Sequence, residues 1–253
     1  MTAKFKKNNQ KILILGLPAT GTTITLCFMQ NIKNGFCMVE PHGQGIRLND
    51  VNAIRHALPY EGDDATKILD MYDKSNIKGI EDIVPNFVIS TLEKTHYNFS
   101  CLKETYYPET NPKFAYFCPT LMDLVDINII VWRNPDYIRK RGILVDKKLE
   151  LYKKLGSFGD IFNVRHLIYE RFCIDPQGEM NRVLSGICKI SGYSGKLKPY
   201  SAGSYGYRKA VGSDIIKKPD NIILTKEERE LYPHCLADEI YEEKLKEAEN
   251  FKI

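Results

Sequence analysis

Residues 11–30, KILILGLPATGTTITLCFMQ, restrict the fold of this chain more than any other segment. The continuous aliphatic run at residues 11–16 is typical of a strand that is buried on both faces of a parallel sheet. A glycine-containing turn follows, and the apolar positions after it recur at helical spacing, which predicts a helix from about Thr22 to Lys33. A buried strand, a tight turn and a helix in this order predict an α/β fold.

Other apolar segments predict further strands that alternate with helices along the 253 residues. Strands are predicted for a segment ending at Glu40 and at 99–104, 127–133 and 162–170, and helices at 118–125, 135–155, 177–191 and from Thr225. This alternation implies a central parallel sheet with helices on both faces. In such sheets ligands bind beyond the carboxyl ends of the strands, so the residues that follow each strand are the functional candidates.

The prediction is of one domain over residues 1–253. Its first ten residues are expected to form a flexible basic N-terminus, residues 43–98 an insertion on the acceptor side, and residues 225–253 a charged helical tail on the surface.

Charge and cysteine content narrow the class of protein. A formal net charge of +4 is too small to indicate a nucleic-acid partner. No apolar run is long enough for a signal or membrane helix, so no membrane partner is expected. The seven cysteines form neither a C-x-x-C pair nor a set with zinc spacing, which favours buried free thiols, no metal, and a reducing compartment. The expectation is a cytoplasmic protein.

The turn GLPATGTT has the glycine spacing of a phosphate-binding loop, with Gly16 and Gly21 five residues apart. Backbone N–H groups in such a loop turn towards an anion, and the following helix N-terminus adds about half a positive charge. The loop of nucleoside triphosphatases reads G-x-x-x-x-G-K-[ST], but Thr22 stands at the lysine position here, and no later strand ends in a magnesium-binding aspartate. Both differences argue against a hydrolase or kinase. A glycine turn that only packs a helix on a strand remains an alternative.

Several segments, in order, resemble the sulfotransferase family. ILGLPATGTT resembles the family's 5′-phosphosulfate loop, commonly G-x-P-[RK]-[ST]-G-[ST]-[ST]. CMVEPH at 37–42 resembles the end of the second strand in carbohydrate members, and IIVWRNPDYIRKRG at 129–142 resembles the 3′-phosphate segment. LIYERFCIDPQGEMNRVLSGI at 167–187 resembles the Tyr-Glu strand end, and YRKAVGSD at 207–214 weakly resembles the C-terminal Arg-Lys-Gly signature. The resemblance covers roughly residues 11–45 and 99–214, and it is closer to carbohydrate and tyrosyl-protein members than to the cytosolic aryl type.

The resemblance implies a single-domain, P-loop NTPase-like sulfotransferase architecture. It also implies transfer of a sulfuryl group from 3′-phosphoadenylyl sulfate (PAPS) to a hydroxyl or amine of a glycan or small-molecule acceptor, with adenosine 3′,5′-bisphosphate (PAP) as product. Seven loop residues and four basic residues would bind the nucleotide: Gly16, Pro18, Ala19, Thr20, Gly21, Thr22 and Thr23, with Arg133, Arg141, Arg208 and Lys209.

Two of these assignments keep an alternative. Arg141 stands where the family usually has a serine, so it is either a longer donor to the 3′-phosphate or a solvent-facing residue. Arg208 and Lys209 either close over the phosphate or form an ordinary surface pair.

The resemblance also suggests catalytic residues. Glu40 is the first candidate for the general base and His42 the second, while the alternative for Glu40 is a structural ion pair with a lysine. Lys103 is the candidate that stabilises sulfate oxygens, with a salt bridge to a surface acid as its alternative. The cytosolic members carry a histidine base where this chain has Thr105.

Position 19 is the main departure from the family pattern, because alanine stands where members carry lysine or arginine. Binding through backbone N–H groups does not depend on that side chain, but in the family the basic residue helps the phosphate to leave. Its loss implies slow catalysis, rescue by Lys103, or binding of the nucleotide without transfer of sulfate. A weakly active or non-catalytic PAP- or PAPS-binding relative is therefore the second hypothesis, and a P-loop kinase is the third.

Overall fold

The structure is a computed structural model that describes residues 1–7, 9–39, 97–108, 112–142, 145–197, 216 and 222–251. Four predicted site residues lie outside the described residues: Glu40, His42, Arg208 and Lys209. Nearly all of the predicted insertion at 43–98 also lies outside them.

Among the described residues, five parallel strands form the central sheet, in the order β3–β4–β2–β5–β6. Their bounds are β2 Gln10–Gly16, β3 Gly35–Val39, β4 Phe99–Thr105, β5 Ile127–Trp132 and β6 Val164–Ile168. The first aliphatic run therefore becomes the middle strand, with its end, Gly16, in register with Thr105 on one side and Val131 on the other. The predicted α/β fold with a central parallel sheet is confirmed.

Helices cover both faces of this sheet. The described helices are α1 Thr22–Gln30, α2 Pro112–Leu124, α3 Pro135–Arg141, α4 Val145–Phe158, α5 Tyr169–Ile174, α6 Pro176–Val183, α7 Lys226–Leu231 and α8 Leu236–Asn250. Side chains alternate along a strand, so Leu13 and Leu15 of β2 pack with α2, α4 and α8, while Ile12 and Ile14 pack with α1, α5 and α6.

The N-terminus is ordered by a second, two-stranded sheet. β1, Thr2–Phe5, pairs antiparallel with β7, Cys188–Ser191, so these residues do not form the flexible terminus that was expected. The prediction of one helix over 177–191 is wrong, because α6 ends at Val183. Buried and exposed residues alternate along β7, and this two-residue period is that of a strand.

The predicted strand at 162–170 is shorter in the structure. β6 ends at Ile168, and α5 begins at Tyr169 directly after it. The strand end therefore places Tyr169 and Glu170 on the first turn of a helix, at the edge of the sheet where ligands bind.

The C-terminal segment is helical, as predicted, but α8 is not a solvated surface helix. Ala237, Tyr241 and Ala248 are buried in the core cluster beneath α4. Asp238 binds Arg139 of α3, with 2.6 Å between its Oδ1 and Nη1 of Arg139. Charged residues dominate the sequence of α8 because they occupy its outer face, and a small apolar stripe is enough to dock it.

All seven cysteines are described, and they are free thiols, six of them buried, which confirms the prediction from their spacing. Among the described residues, no helix combines the length and apolar character that crossing a membrane requires.

Candidate functional site

The loop at residues 17–21 joins β2 to α1 at the carboxyl edge of the central sheet. A short turn closes it, because the Thr20 amide and the Thr20 hydroxyl both donate to the Leu17 carbonyl, at 3.2 and 2.8 Å. The buried Thr20 hydroxyl thus holds the turn together. A side chain at residue 16 would collide with this arrangement, since a Cβ there would lie 2.6 Å from Thr20 Oγ1.

Two residues of the loop have left-handed backbone conformations. Gly21, the N-cap of α1, has a φ of 101°, which glycine adopts without steric cost. Ala19 has a φ of 69°, and this conformation costs a residue with a Cβ roughly 1–2 kcal/mol. Such strain persists only where the surroundings over-determine it.

The N-terminus of α1 is not capped by any side chain, and its first turn contains no acidic residue. The first N–H groups of a helix have no partner within the helix and carry the positive end of its dipole. Among the described residues, neither the Thr22 nor the Thr23 hydroxyl has a hydrogen-bond partner. This end of α1 can therefore offer backbone N–H groups and two hydroxyls to an anion.

Arg133 follows β5 and reaches across to the loop. Its Nη1 donates a 2.7 Å hydrogen bond to the carbonyl oxygen of Ala19. The guanidinium lies between two tyrosines, 3.1 Å from the ring centroid of Tyr137 and 4.5 Å from that of Tyr169. The hydroxyl of the buried Tyr152 donates to the Arg133 carbonyl and so anchors its backbone. Arg133 is thus fixed at both ends.

Arg141 joins the same stack from the far end of α3. Its guanidinium carbon lies 4.9 Å from the centroid of the Tyr137 ring, while the residue itself is exposed. Both arginines therefore contact Tyr137.

The start of α3 differs from that of α1. The side chain of Asn134 accepts from the Asp136 amide at 2.8 Å, with Pro135 as the first helical residue. This cap satisfies an amide that an anion would otherwise bind. The N-terminus of α1, which has no such cap, is therefore the better anion site of the two.

Lys103 lies next to the loop on the other side of β2. Its side chain is buried, with 2% of the residue exposed, and its Nζ donates to Thr105 Oγ1 at 2.9 Å. Thr105 is in register with Gly16, so the ammonium group lies close to the start of the loop.

The tyrosines of the stack are the residues that sequence reasoning missed. Tyr169 also contacts the loop, since its Cδ2 would lie 2.1 Å from a Cβ on Gly21. Burial raises the pKa of Tyr169, so its phenol is neutral at physiological pH. An aromatic residue four positions after an arginine, as Tyr137 is after Arg133, is a signal that could have suggested one of these contacts.

Glu170 joins the elements that carry the stack. Its Oε1 accepts from the Asn134 amide at 3.1 Å, and its Oε2 accepts from the Tyr241 hydroxyl of α8 at 2.8 Å. The carboxylate of Glu170 thereby connects the start of α5 to the turn after β5 and to the C-terminal helix. The candidate site consists of the loop, the uncapped start of α1, Lys103 and the arginine–tyrosine stack.

No protein-family model and no curated protein sequence matches the chain. Among solved structures, it is similar to the sulfotransferase domain from the curacin biosynthetic pathway, with 11% identity and a TM-score of 0.50 over 95% of this chain and 99% of that chain. A weaker similarity is to the sulfotransferase domain from the Synechococcus PCC 7002 olefin synthase, with 13% identity and a TM-score of 0.43 over 91% of this chain and 97% of that chain. The first similarity shows that this chain shares the fold of a sulfotransferase domain.

Proposed function

We propose that the protein transfers a sulfuryl group from 3′-phosphoadenylyl sulfate to a hydroxyl or amine of a glycan or small-molecule acceptor. The observation that carries the proposal is the uncapped N-terminus of α1, preceded by a closed loop and flanked by Arg133. An anionic phosphosulfate is the kind of group that such an arrangement attracts.

The described residues fit this donor in charge and in hydrogen-bonding capacity. The start of α1 offers backbone N–H groups and the hydroxyls of Thr22 and Thr23, and none of the first-turn residues is acidic. Arg133 and Arg141 add two cations, both in contact with the ring of Tyr137. We assign the loop to the 5′ end of the nucleotide, and Arg141, with Arg208 and Lys209, to the 3′-phosphate.

The bound donor would supply the sulfuryl group and a phosphate leaving group. The chain's own residues would stabilise the negative charge that develops, and fixed donors in a water-poor site do this most effectively. Lys103 is buried at the carboxyl end of β4, so we assign it to the sulfate oxygens.

We assign the general base to the segment that follows β3. Val39, the last residue of β3, is in register with Lys103, and Glu40 is the next residue in the sequence. We therefore keep Glu40 as the proposed base and His42 as the second candidate. Both lie outside the described residues.

Thermal unfolding in the presence of nucleotides tests the binding part of this proposal. Adenosine 3′,5′-bisphosphate should raise the melting temperature, because a ligand at 100 times its dissociation constant adds about 2.7 kcal/mol to stability. The double variant Thr22→Ala/Thr23→Ala should weaken this effect, whereas Thr2→Ala, on the exposed face of β1, should leave it unchanged. Absence of stabilisation at millimolar bisphosphate would contradict the proposal, and preference for magnesium ATP would favour a kinase.

Transfer itself is measured with sulfur-labelled donor and a panel of hydroxylated and amine acceptors. Formation of labelled product by the wild type, and its loss in Lys103→Ala and in Glu40→Gln, supports the roles assigned to these two residues. Binding of the bisphosphate without transfer to any acceptor would instead indicate a nucleotide-binding relative that does not turn over.

A further inference from the structure

We propose that Arg133 is a positioning residue of the anion-binding loop, which it holds in its left-handed conformation while supplying the positive charge that position 19 does not carry. This inference rests on the proposed function and deepens it. It assigns Arg133 to the 5′ end of the nucleotide, although the sequence resemblance places it at the 3′-phosphate.

The first observation concerns one peptide unit. The carbonyl of Ala19 and the amide of Thr20 belong to the same planar group, so fixing one of them fixes the other. Arg133 binds the carbonyl at 2.7 Å, and the Leu17 carbonyl accepts from the amide at 3.2 Å. Both polar groups of this unit are therefore held, and Ala19 is kept in a conformation that an alanine would otherwise leave.

The second observation is how firmly the guanidinium itself is held. It lies between the rings of Tyr137 and Tyr169, a geometry that suits the flat guanidinium and not the ammonium of lysine. Tyr169 also packs against Gly21, the N-cap of α1. The same ring therefore sets the position of Arg133 and of the loop that Arg133 binds.

The third observation is the position of the charge. Val131 is in register with Gly16, the last residue of β2. Arg133 follows Val131 by two residues, so it lies past the end of the sheet at which the loop begins. The guanidinium is one hydrogen bond away from residue 19, the position at which the sequence lacks a cation. A positive charge at this distance acts on an anion in the loop much as a basic side chain at residue 19 would.

Two nucleotides that share a 5′-phosphate distinguish the two roles of Arg133. Affinities for adenosine 3′,5′-bisphosphate and adenosine 5′-phosphate are measured by calorimetry for the wild type and Arg133→Gln. We expect the substitution to weaken both by the same factor, roughly tenfold or more, because it removes a charge-assisted hydrogen bond from the loop. Arg133→Lys should recover part of this loss, and Arg229→Gln, which removes an arginine from a surface ion pair, is the matched control.

A second measurement needs no nucleotide. Hydrogen exchange of the Thr20 amide in the free protein should become at least about tenfold faster in Arg133→Gln and stay unchanged in Arg229→Gln, because the exchange rate follows the local opening of that hydrogen bond. If Arg133→Gln does not fold, Arg133→Lys is measured in its place, and we then expect a smaller loss of both affinities and a smaller increase in the exchange rate of the Thr20 amide.

A loss of affinity confined to the bisphosphate would make Arg133 a ligand of the 3′-phosphate and overturn the inference. Unchanged affinities, or an unchanged exchange rate at Thr20, would also overturn it. If the wild type binds neither nucleotide, the proposed function fails, and the exchange rate alone then decides whether Arg133 positions the loop.

The role of the positive charge is tested by introducing an arginine at residue 19 in proteins with and without Arg133. Ala19→Arg should raise the affinity for the bisphosphate more in the Arg133→Gln background than in the wild type, because one cation then replaces the other. Equal effects in the two backgrounds would show that the two positions act independently, which contradicts this part of the proposal.

Discussion

The ring of Tyr169 fills the space beside Gly21, so that a Cβ at residue 21 would lie 2.1 Å from Tyr169 Cδ2. The backbone of Gly21 also has a φ of 101°, which disfavours any side chain. The glycine is therefore required for two independent reasons. One is its local backbone conformation, and the other is its contact with Tyr169, a residue that is distant in the sequence.

Gly21→Ala should consequently destabilise the protein more than a glycine-to-alanine change at a site where the only cost is the left-handed backbone conformation. We expect a loss of roughly 2–4 kcal/mol in the free energy of unfolding, from left-handed strain together with overpacking against the ring. Gly142→Ala is the matched control, because Gly142 has a φ of 64° but open space around its Cα, and it should lose only about 1 kcal/mol. Urea denaturation measures both, and equal losses would show that Tyr169 does not constrain the loop.

The elements that could be predicted from the sequence are those whose structure is determined by residues close to one another in the chain. β2, β4 and β5 agree with their predicted bounds to within one residue at each end, and residues on both faces of each strand are buried. The aliphatic runs of β2 and β5 mark them directly, whereas β4, FSCLKET, ends in polar residues. The closed loop after Gly16 and the cap at Asn134 were also predictable, because glycine spacing and an Asn-Pro pair have local causes.

The parts that failed depend on distant residues. β1 is only four residues long, and it forms because β7, which is distant in the sequence, pairs with it. The docking of α8 depends on an apolar stripe and on Arg139, neither of which its charged sequence reveals. In the site, the position of Arg133 is set by two tyrosines on different helices, which a single sequence does not relate.

The ion pair between Arg139 and Asp238 should be the electrostatic contact on which the C-terminal helix depends. The Arg139 side chain is fully buried and also binds Asp136. Burial alone would raise the pKa of Asp238, but hydrogen bonds from Arg139 and from the Cys235 amide lower it, so the carboxylate is charged in the folded protein.

Asp238→Ala would leave a buried guanidinium short of a partner, and we expect it to cost about 3–5 kcal/mol in the free energy of unfolding. Glu230→Ala, which breaks the exposed pair with Lys226, should cost at most about 1 kcal/mol. Urea denaturation of the two variants gives the comparison, and a small loss in Asp238→Ala would mean that α8 is held by its apolar contacts alone.

His166 should make the stability depend on pH. Its Nδ1 accepts a 2.9 Å hydrogen bond from Trp132 Nε1, which requires the neutral imidazole. Burial, followed by the charges of Lys244 and Arg182, lowers the pKa of His166 to about 4. The unfolded chain takes up a proton near pH 6.5, whereas the folded protein does so only near pH 4, so stability falls as the pH decreases between these values.

The expected loss across that window is about 2–3 kcal/mol, in addition to any contribution from the carboxylates. His166→Gln keeps an acceptor for Trp132 but cannot be protonated, so the stability of this variant should change less between pH 7 and pH 4.5. His234→Gln, at an exposed position, is the control. Parallel stability curves for the wild type and His166→Gln would contradict the assignment.

The cysteines offer a test of the core itself. Cys235 is half-buried and the other six thiols are buried. Burial raises the pKa of Cys188 to about 12, and burial together with a hydrogen bond to Cys101 raises that of Cys37 well above its usual range. Since the thiolate is the reactive form, these groups should not react in the folded protein.

An aromatic disulfide reagent at pH 8 should therefore modify one thiol rapidly in the native protein and all seven after denaturation. Cys235→Ser should remove the rapid phase and leave the total at six, while Cys118→Ser should keep the rapid phase, because Cys118 of α2 is fully buried in the core. Two or more rapidly reacting thiols in the native protein would mean that the packing of one face of the sheet differs from the structure. The reactive residue could then be identified by mass spectrometry, and the two apolar clusters would show which face has opened, since Cys118 belongs to one and Cys27 to the other.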